Sequence, residues 1–413
     1  MEIKIKTRQF SKTALVFMLL FFSNDTYLFG TNSNEFMVAI PRYLMMVFCI
    51  INFMTMIRYE ELKWHKKKIV LYLFMITVFV YVSYINHEYF NRGFIKILCI
   101  STGLFICMRY SLLEYSEAFL KCMTFFSVFA VILTMMSYAV PRLVYRLPSI
   151  VNTVGYHFYS IGFAGIDERS VGVAFVRAGG IFWEPGVFQM YLNLAILFEI
   201  FLYHGVHKKR LIIFIISLIL TFSTTGYLAF MWLIATYVVF GKENNRSNLS
   251  NVVYFFVLIL GVFLAYFIIA YTSIGNLVFG KLFDMKDGST MVRQASVLIN
   301  LEIIRDYPWI GIGMDIMEDE FQRRSYLSSA IYGWTRQNTN TLLYQFSAHG
   351  IFWGIPFTAA TYKFGSRFTN NFFMKVSIFV MFLMLYVGEN LMISTFPYIL
   401  IFYGIEGNIY TKK

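Results

Sequence analysis

Charge is what this 413-residue chain most lacks: Asp, Glu, Lys and Arg make up 14% of it, and acids are the scarcer half, 23 against 35 basic residues. Soluble globular domains carry about a quarter charged residues. That class is excluded, and 58% hydrophobic content with a mean hydropathy of +0.61 describes a polytopic membrane protein instead. Cysteine is scarce, and Cys49, Cys99, Cys107 and Cys122 fall in or beside apolar segments without metal-like spacing, so they read as packing residues. No cluster of His, Asp and Glu suggests a metal site, and Gly311 and Gly313 lack the strand-helix unit of a nucleotide loop. Activity is therefore expected to need no cofactor, and no nucleic-acid partner is expected. Internal repeats, low-complexity tracts and a separate soluble domain are also missing, so residues 1–413 read as a single integral membrane domain. The basic N-terminus and its apolar run lack a small-residue cleavage pattern at Ser23-Asn24-Asp25-Thr26, which favours a retained first span over a signal peptide.

What is present is apolar sequence in long runs. Spans of about 20 residues are predicted over 12–29, 36–57, 69–86, 93–109, 117–140, 184–203, 211–224, 226–240, 251–272, 339–359, 376–391 and 393–410. The expected fold is an all-α polytopic membrane protein of about 12 transmembrane helices. Short cytoplasmic segments collect Lys and Arg, and Lys4, Lys6, Arg8, Lys12, the Arg58–Lys68 cluster, Lys121, Lys208–Arg210, Lys242, Lys363, Lys375 and Lys412–Lys413 share one parity. Both termini are thereby expected in the cytoplasm. Residues 211–240 and 376–410 then become hairpins, with tips near Ser223–Gly226 and Gly388–Asn390 on the outer side.

Two stretches, 141–182 and 273–338, are too polar for membrane and too long for simple connections, so they are expected as long outer loops. On this topology the outer side holds eleven Arg and three Lys, against six Arg and fifteen Lys inside. Outer arginine runs against the positive-inside tendency and suits bidentate binding of phosphate or carboxylate. Within the second loop, Val297, Leu298, Leu301 and Ile304 recur at helical spacing between Arg293, Gln294 and Asn300, predicting an amphipathic helix over 291–305.

Five blocks recur in a recognisable order: Arg177-Ala-Gly-Gly-Ile-Phe-Trp-Glu184-Pro185-Gly186; Phe222-Ser223-Thr224-Thr225-Gly226; Tyr307-Pro308-Trp309-Ile310-Gly311-Ile312-Gly313; Asn338-Thr339-Asn340-Thr341-Leu342; and His349-Gly350. Over about residues 150–360 the chain resembles the O-antigen polymerase and O-antigen ligase superfamily. The resemblance implies a metal-independent, GT-C-like membrane glycosyltransferase acting on polyprenyl-diphosphate-linked glycans at the outer face of the bacterial cytoplasmic membrane. Ligases of the superfamily typically carry His just before the Asn-Thr of the last block, where this chain has Thr339, while the Glu-Pro-Gly block resembles Wzy-type repeat-unit polymerases. The resemblance thus implies polymerisation of repeat units into O-antigen, capsular or exopolysaccharide, with the lipid-linked oligosaccharide and membrane lipids as partners, alongside flippase and chain-length regulator proteins. Ligase activity is the alternative. A flippase or other transporter is a rival class, opposed by the two long loops and the absence of paired halves.

Breaking a glycosyl bond to diphosphate calls for cations on the leaving group and a base for the acceptor hydroxyl. Arg177, Arg293 and Glu184 are the catalytic candidates; Arg169, Arg305, Arg336, Asn338, Asn340 and Trp183 are the substrate-binding ones. Each has a structural competitor. Pro185 suits a first helical turn and Glu184 the positive end of a helix, so that block equally reads as a helix start. Arg177 could pair with Glu184 or anchor at headgroups, Arg293 could face water, and Ser223–Gly226 reads more naturally as a hairpin tip than as a nucleophile site. Most of the aromatics, 20% of residues, read as lipid-facing or interfacial anchors.

Overall fold

Unbroken runs of Leu, Ile, Phe, Val and Met wind into helices because lipid offers backbone groups no other hydrogen-bond partner. A computed structural model describes residues 2–58, 66–173, 176–202, 206–240, 288–328, 335 and 337–406. Helices form in eleven of the twelve predicted apolar runs, and the run at 251–272 lies outside the described residues. Glu35–Thr55, Lys66–Ile85 and Leu112–Ala139 are long and apolar enough to cross a membrane, and shorter apolar helices accompany them. The protein is helical and membrane-embedded.

Two compact units divide the chain. The first combines residues 1–61 with 105–227 and contains α1 (Glu2–Phe21), α2 (Glu35–Arg58), α5 (Leu112–Ala139), α6 (Pro141–Val144), α7 (Pro185–Phe201) and α8 (Lys208–Leu220). Helix α5 starts at a reciprocal capping box between Ser111 and Glu114. Helix α7 is buried on every side from Gly186 to Phe201, as an all-round apolar helix should be. Its interior Glu199 is compensated by Arg210 Nε at 2.6 Å and the His207 amide at 2.7 Å. The second unit combines residues 62–104 with 228–413. It holds α3 (Lys66–Ile85), most of α4 (Phe90–Arg109) and of α9 (Thr224–Phe240), then α10 (Gly288–Asp306), α11 (Met314–Leu327), α12 (Thr341–His349), α13 (Ile351–Gly365), α14 (Phe372–Gly388) and α15 (Phe396–Gly404).

Four expectations need correction. The fold is not purely α: within 141–182, strands β1 (Ser149–Val151), β2 (His157–Ser160) and β3 (Gly165–Asp167) form an antiparallel meander that buries Phe158 and Ile166. The first span ends at Phe21 rather than 29, because Thr26 pairs with Phe182 and Asn32 with Asn152 in isolated bridges. The 339–359 run is two helices, since Gly350 at φ +72° ends α12 and starts α13. Finally, α10 does form over 288–306, but its buried face carries Ala295, Ser296, Ile299, Asn300 and Ile303, while Leu301 is exposed. A polar stripe turns inward because it has partners there.

Candidate functional site

In the first unit the turn from Arg177 to Glu184 is clamped by backbone bonds from three sides. The Ala178 amide donates to the Leu220 carbonyl at 2.8 Å, Gly165 to Gly180 at 2.8 Å, Tyr27 to Ile181 at 3.1 Å and Trp183 to Asp25 at 3.2 Å. Gly180 holds φ +60° with the Phe188 ring packed where a Cβ would stand, so only glycine serves there. The chain enters α7 through Glu184 in extended conformation and Pro185 at the first helical position, as the sequence predicts. The Glu184 side chain makes no capping hydrogen bond; its backbone carbonyl accepts from the amides of Val187 and Phe188 instead. The helix start thus accounts for the position through the backbone and Pro185, not through a side-chain cap.

Arg177 is half-buried and donates from Nε to the Thr221 carbonyl at 3.2 Å. It forms no ion pair with Glu184, and its two terminal nitrogens have no hydrogen-bond partner among the described residues. Thr221 immediately precedes the second sequence block, so Arg177 is tied to the residue that leads into 222–226. Asn193 strengthens the join, donating to the Gly226 carbonyl at 3.2 Å and to Gln189 Oε1 at 3.1 Å. A Cβ on Gly226 would lie 2.8 Å from that of Gln189. Ser223 Oγ accepts from the Gly226 amide at 3.4 Å and is buried, which supports the hairpin tip over a nucleophile. Trp183 is half-buried beside this turn. Arg169 is exposed, bound to Asp167 through Nη2 at 2.5 Å and stacked 4.1 Å over the Tyr156 ring. The Asp167 carboxylate holds its guanidinium above the usual pKa.

In the second unit, α10 and the Asn338–Thr341 segment share a polar seam. Asn300 Nδ2 donates to Asn338 Oδ1 at 2.9 Å, and Asn338 Nδ2 returns to Asn300 Oδ1 at 3.2 Å. Ser347 Oγ reaches Asn300 Oδ1 at 2.7 Å, and Ser296 Oγ accepts from the Thr339 amide at 3.0 Å. Asn340 caps α12, its Oδ1 accepting from the Leu343 amide at 2.8 Å, while its buried Nδ2 has no partner among the described residues. Gly311 and Gly313, both at positive φ, run beside α12's end, where Ile312 and Gly313 donate to Ser347 and Ala348. Glu88, between α3 and α4, accepts from the Met314 amide at the start of α11. Arg293 is half-buried on α10. Arg305 is exposed and pairs with its neighbour Asp306 at 3.1 Å, and Arg324 and Arg305 hold that carboxyl below the usual range. Arg336 lies outside the described residues.

Three participants escaped the sequence reading: the Ser296–Asn300 stripe, Glu88 and Lys96. Lys96 was findable, being a lone lysine inside an apolar run. Among the described residues, no group of three His, Cys, Asp or Glu side chains is placed to hold a metal ion. Residues 211–357 match the family model described as O-antigen ligase. No curated protein matches the chain.

Proposed function

We propose that this chain, whose residues 211–357 match the family model described as O-antigen ligase, is a membrane glycosyltransferase that polymerises polyprenyl-diphosphate-linked repeat units at the outer side of the cytoplasmic membrane. The observation that carries this reading is Arg177: Nε is committed to a backbone carbonyl, which aims the remaining fork of a guanidinium without tying it to a carboxylate. Such a fork matches the paired oxygens of a diphosphate. In the proposed reaction the acceptor hydroxyl attacks the anomeric carbon, the bond to diphosphate breaks, and its electron pair leaves with the polyprenyl diphosphate. Arg177 and Arg293 are assigned to neutralise that charge and Glu184 to take the hydroxyl proton. Asn340, through Nδ2, is assigned to the diphosphate and Trp183 to the glycan; Asn338 serves by supporting Asn340, whose amide donates to its Oδ1 at 3.2 Å. Arg169 and Arg305, each engaged by an aspartate, and Arg336 are weaker substrate contacts.

A second reading is glycan ligation, favoured by the matched family's description and opposed by Thr339, which stands where ligases typically carry His. Reconstituted protein given a purified lipid-linked repeat unit separates the two. A ladder of multiples is the expected product. Single units transferred only when a second acceptor lipid is supplied would make the protein a ligase, and no transfer of either kind would remove the glycosyltransferase reading.

A further inference from the structure

Helix α4 presents Lys96, Cys99 and Gly103 on one face, spaced three and four residues apart. The interrupted segment after α14 runs along that face. Lys96 Nζ donates to the Met392 carbonyl at 3.3 Å, Cys99 Sγ to the Ile393 carbonyl at 3.5 Å, and a Cβ on Gly103 would lie 2.8 Å from that of Tyr398. The same ammonium donates to Gln345 Oε1 at 3.2 Å, on the helix that Asn340 caps, and Gln345 Oε1 also accepts from Trp353 Nε1 at 2.8 Å.

Lys96 is fully buried, and no carboxylate among the described residues lies within ion-pair distance of it. An unpaired charge in such a place is costly. Its hydration is replaced by two carbonyl oxygens and by the faces of Tyr344, Trp353 and Tyr398, whose centroids lie 6.0, 5.9 and 5.6 Å away. These groups sit on α12, α13 and the 392–398 segment, and α13 packs directly on both α12 and α15. Thr341 adds a parallel tie, donating from Oγ1 to the Glu389 carbonyl and accepting from the Leu391 amide at 2.9 Å.

We propose that Lys96 is a positioning residue: its ammonium fixes the register of α12, and with it Asn338 and Asn340, against the 389–395 segment. The inference rests on the proposed function only for what that register serves. Cys99, buried beneath the same segment, is a built-in reporter of whether the tie holds.

The experiment uses the full chain with Cys49, Cys107 and Cys122 replaced by Ala, leaving Cys99 as its only thiol, and follows N-ethylmaleimide labelling by intact mass. Lys96→Met keeps the stem and removes the charge; Gln345→Leu removes the acceptor from the opposite side and stands in should Lys96→Met fail to accumulate. Each is expected to raise the Cys99 labelling rate about tenfold, and the double variant should rise no further, because coupled partners are not additive. With lipid-linked repeat unit extracted from host membranes, kcat is expected to fall about tenfold while KM stays within about twofold. Unchanged labelling in both single variants overturns the proposal, as does raised labelling with unchanged kcat. If the parent protein does not turn over the lipid-linked unit, the proposed function fails, and the labelling rates alone still decide whether Lys96 holds the segment.

Discussion

Asn340 offers the clearest separation of scaffold from chemistry, because its two side-chain atoms do different things. Oδ1 caps α12 at 2.8 Å from the Leu343 amide, while Nδ2 is buried without a partner among the described residues. Serine ranks with asparagine as an N-cap, so Asn340→Ser keeps the cap and removes only the amide donor; Asn340→Ala removes both. Losing the cap costs about 1 kcal/mol. If Nδ2 donates to a diphosphate oxygen or another charged acceptor, losing that bond costs about 1.5–3 kcal/mol, a roughly 10- to 150-fold rate loss. Asn340→Ser should therefore melt with the parent protein in detergent yet shorten the glycan ladder and slow turnover by that factor, whereas Asn340→Ala should both melt lower and lose turnover. A Ser variant with parental turnover would refute the substrate assignment and leave Asn340 as a cap.

Arg177→Ala should convert a ladder into mostly single units at normal protein abundance, with a loss of about a hundredfold, roughly 3 kcal/mol; Arg177→Lys should rescue poorly because a point charge replaces the fork, and full-length polymer from Arg177→Ala would return it to an anchor. Glu184→Gln should melt like the parent, since no side-chain cap is lost, but abolish turnover if the carboxylate is the base; retained turnover rules that role out. Gly350→Ala should deplete the folded protein, because its Cβ would overlap the Trp309 carbonyl at a φ of +72° that itself costs about 1–3 kcal/mol; normal abundance and melting would contradict the packing described. Asp306 and Glu320 are held below their usual pKa by Arg324 and Arg323 respectively. That stabilisation is complete above the ordinary carboxylate range of about 4 and fades as pH falls through the lower folded values. Limited proteolysis of the α10–α11 hairpin should accordingly accelerate below about pH 4, and Asp306→Asn should blunt the acceleration.

The helices were legible because lipid enforces a simple code: long apolar runs, with Pro185 marking the start of one helix. Arg177 and Glu184 were legible for a related reason, since charge beside an apolar run is expensive and draws the eye. What the sequence concealed was polar pairing across distance. Ser296 and Asn300 look solvent-facing in a periodicity count, and partners far along the chain explain why they turn inward: Thr339 and Gln337 for Ser296, Asn338 and Ser347 for Asn300. The meander at 149–167 was hidden because three- and four-residue strands are too short to show alternation. Gly350 shows the complementary failure: an apolar run reads as one helix until a positive φ breaks it.

Polar satisfaction then sorts the candidates. A donor already spent on the protein is scaffold, because freeing it for a substrate forfeits the bond it makes. Asn338 Nδ2 is spent on Asn300, and Arg169 spends both Nε and Nη2 on Asp167. The terminal nitrogens of Arg177 and Nδ2 of Asn340 are not spent in this way, although each residue is fixed by its other polar atom, Nε on Thr221 and Oδ1 on Leu343. One atom anchored and another available is the condition for a preorganised donor, which stabilises developing charge without first paying to orient itself. Both residues lie in the sequence blocks that carry the family resemblance, and the same criterion moves Arg169 toward a structural role that its charge alone did not suggest.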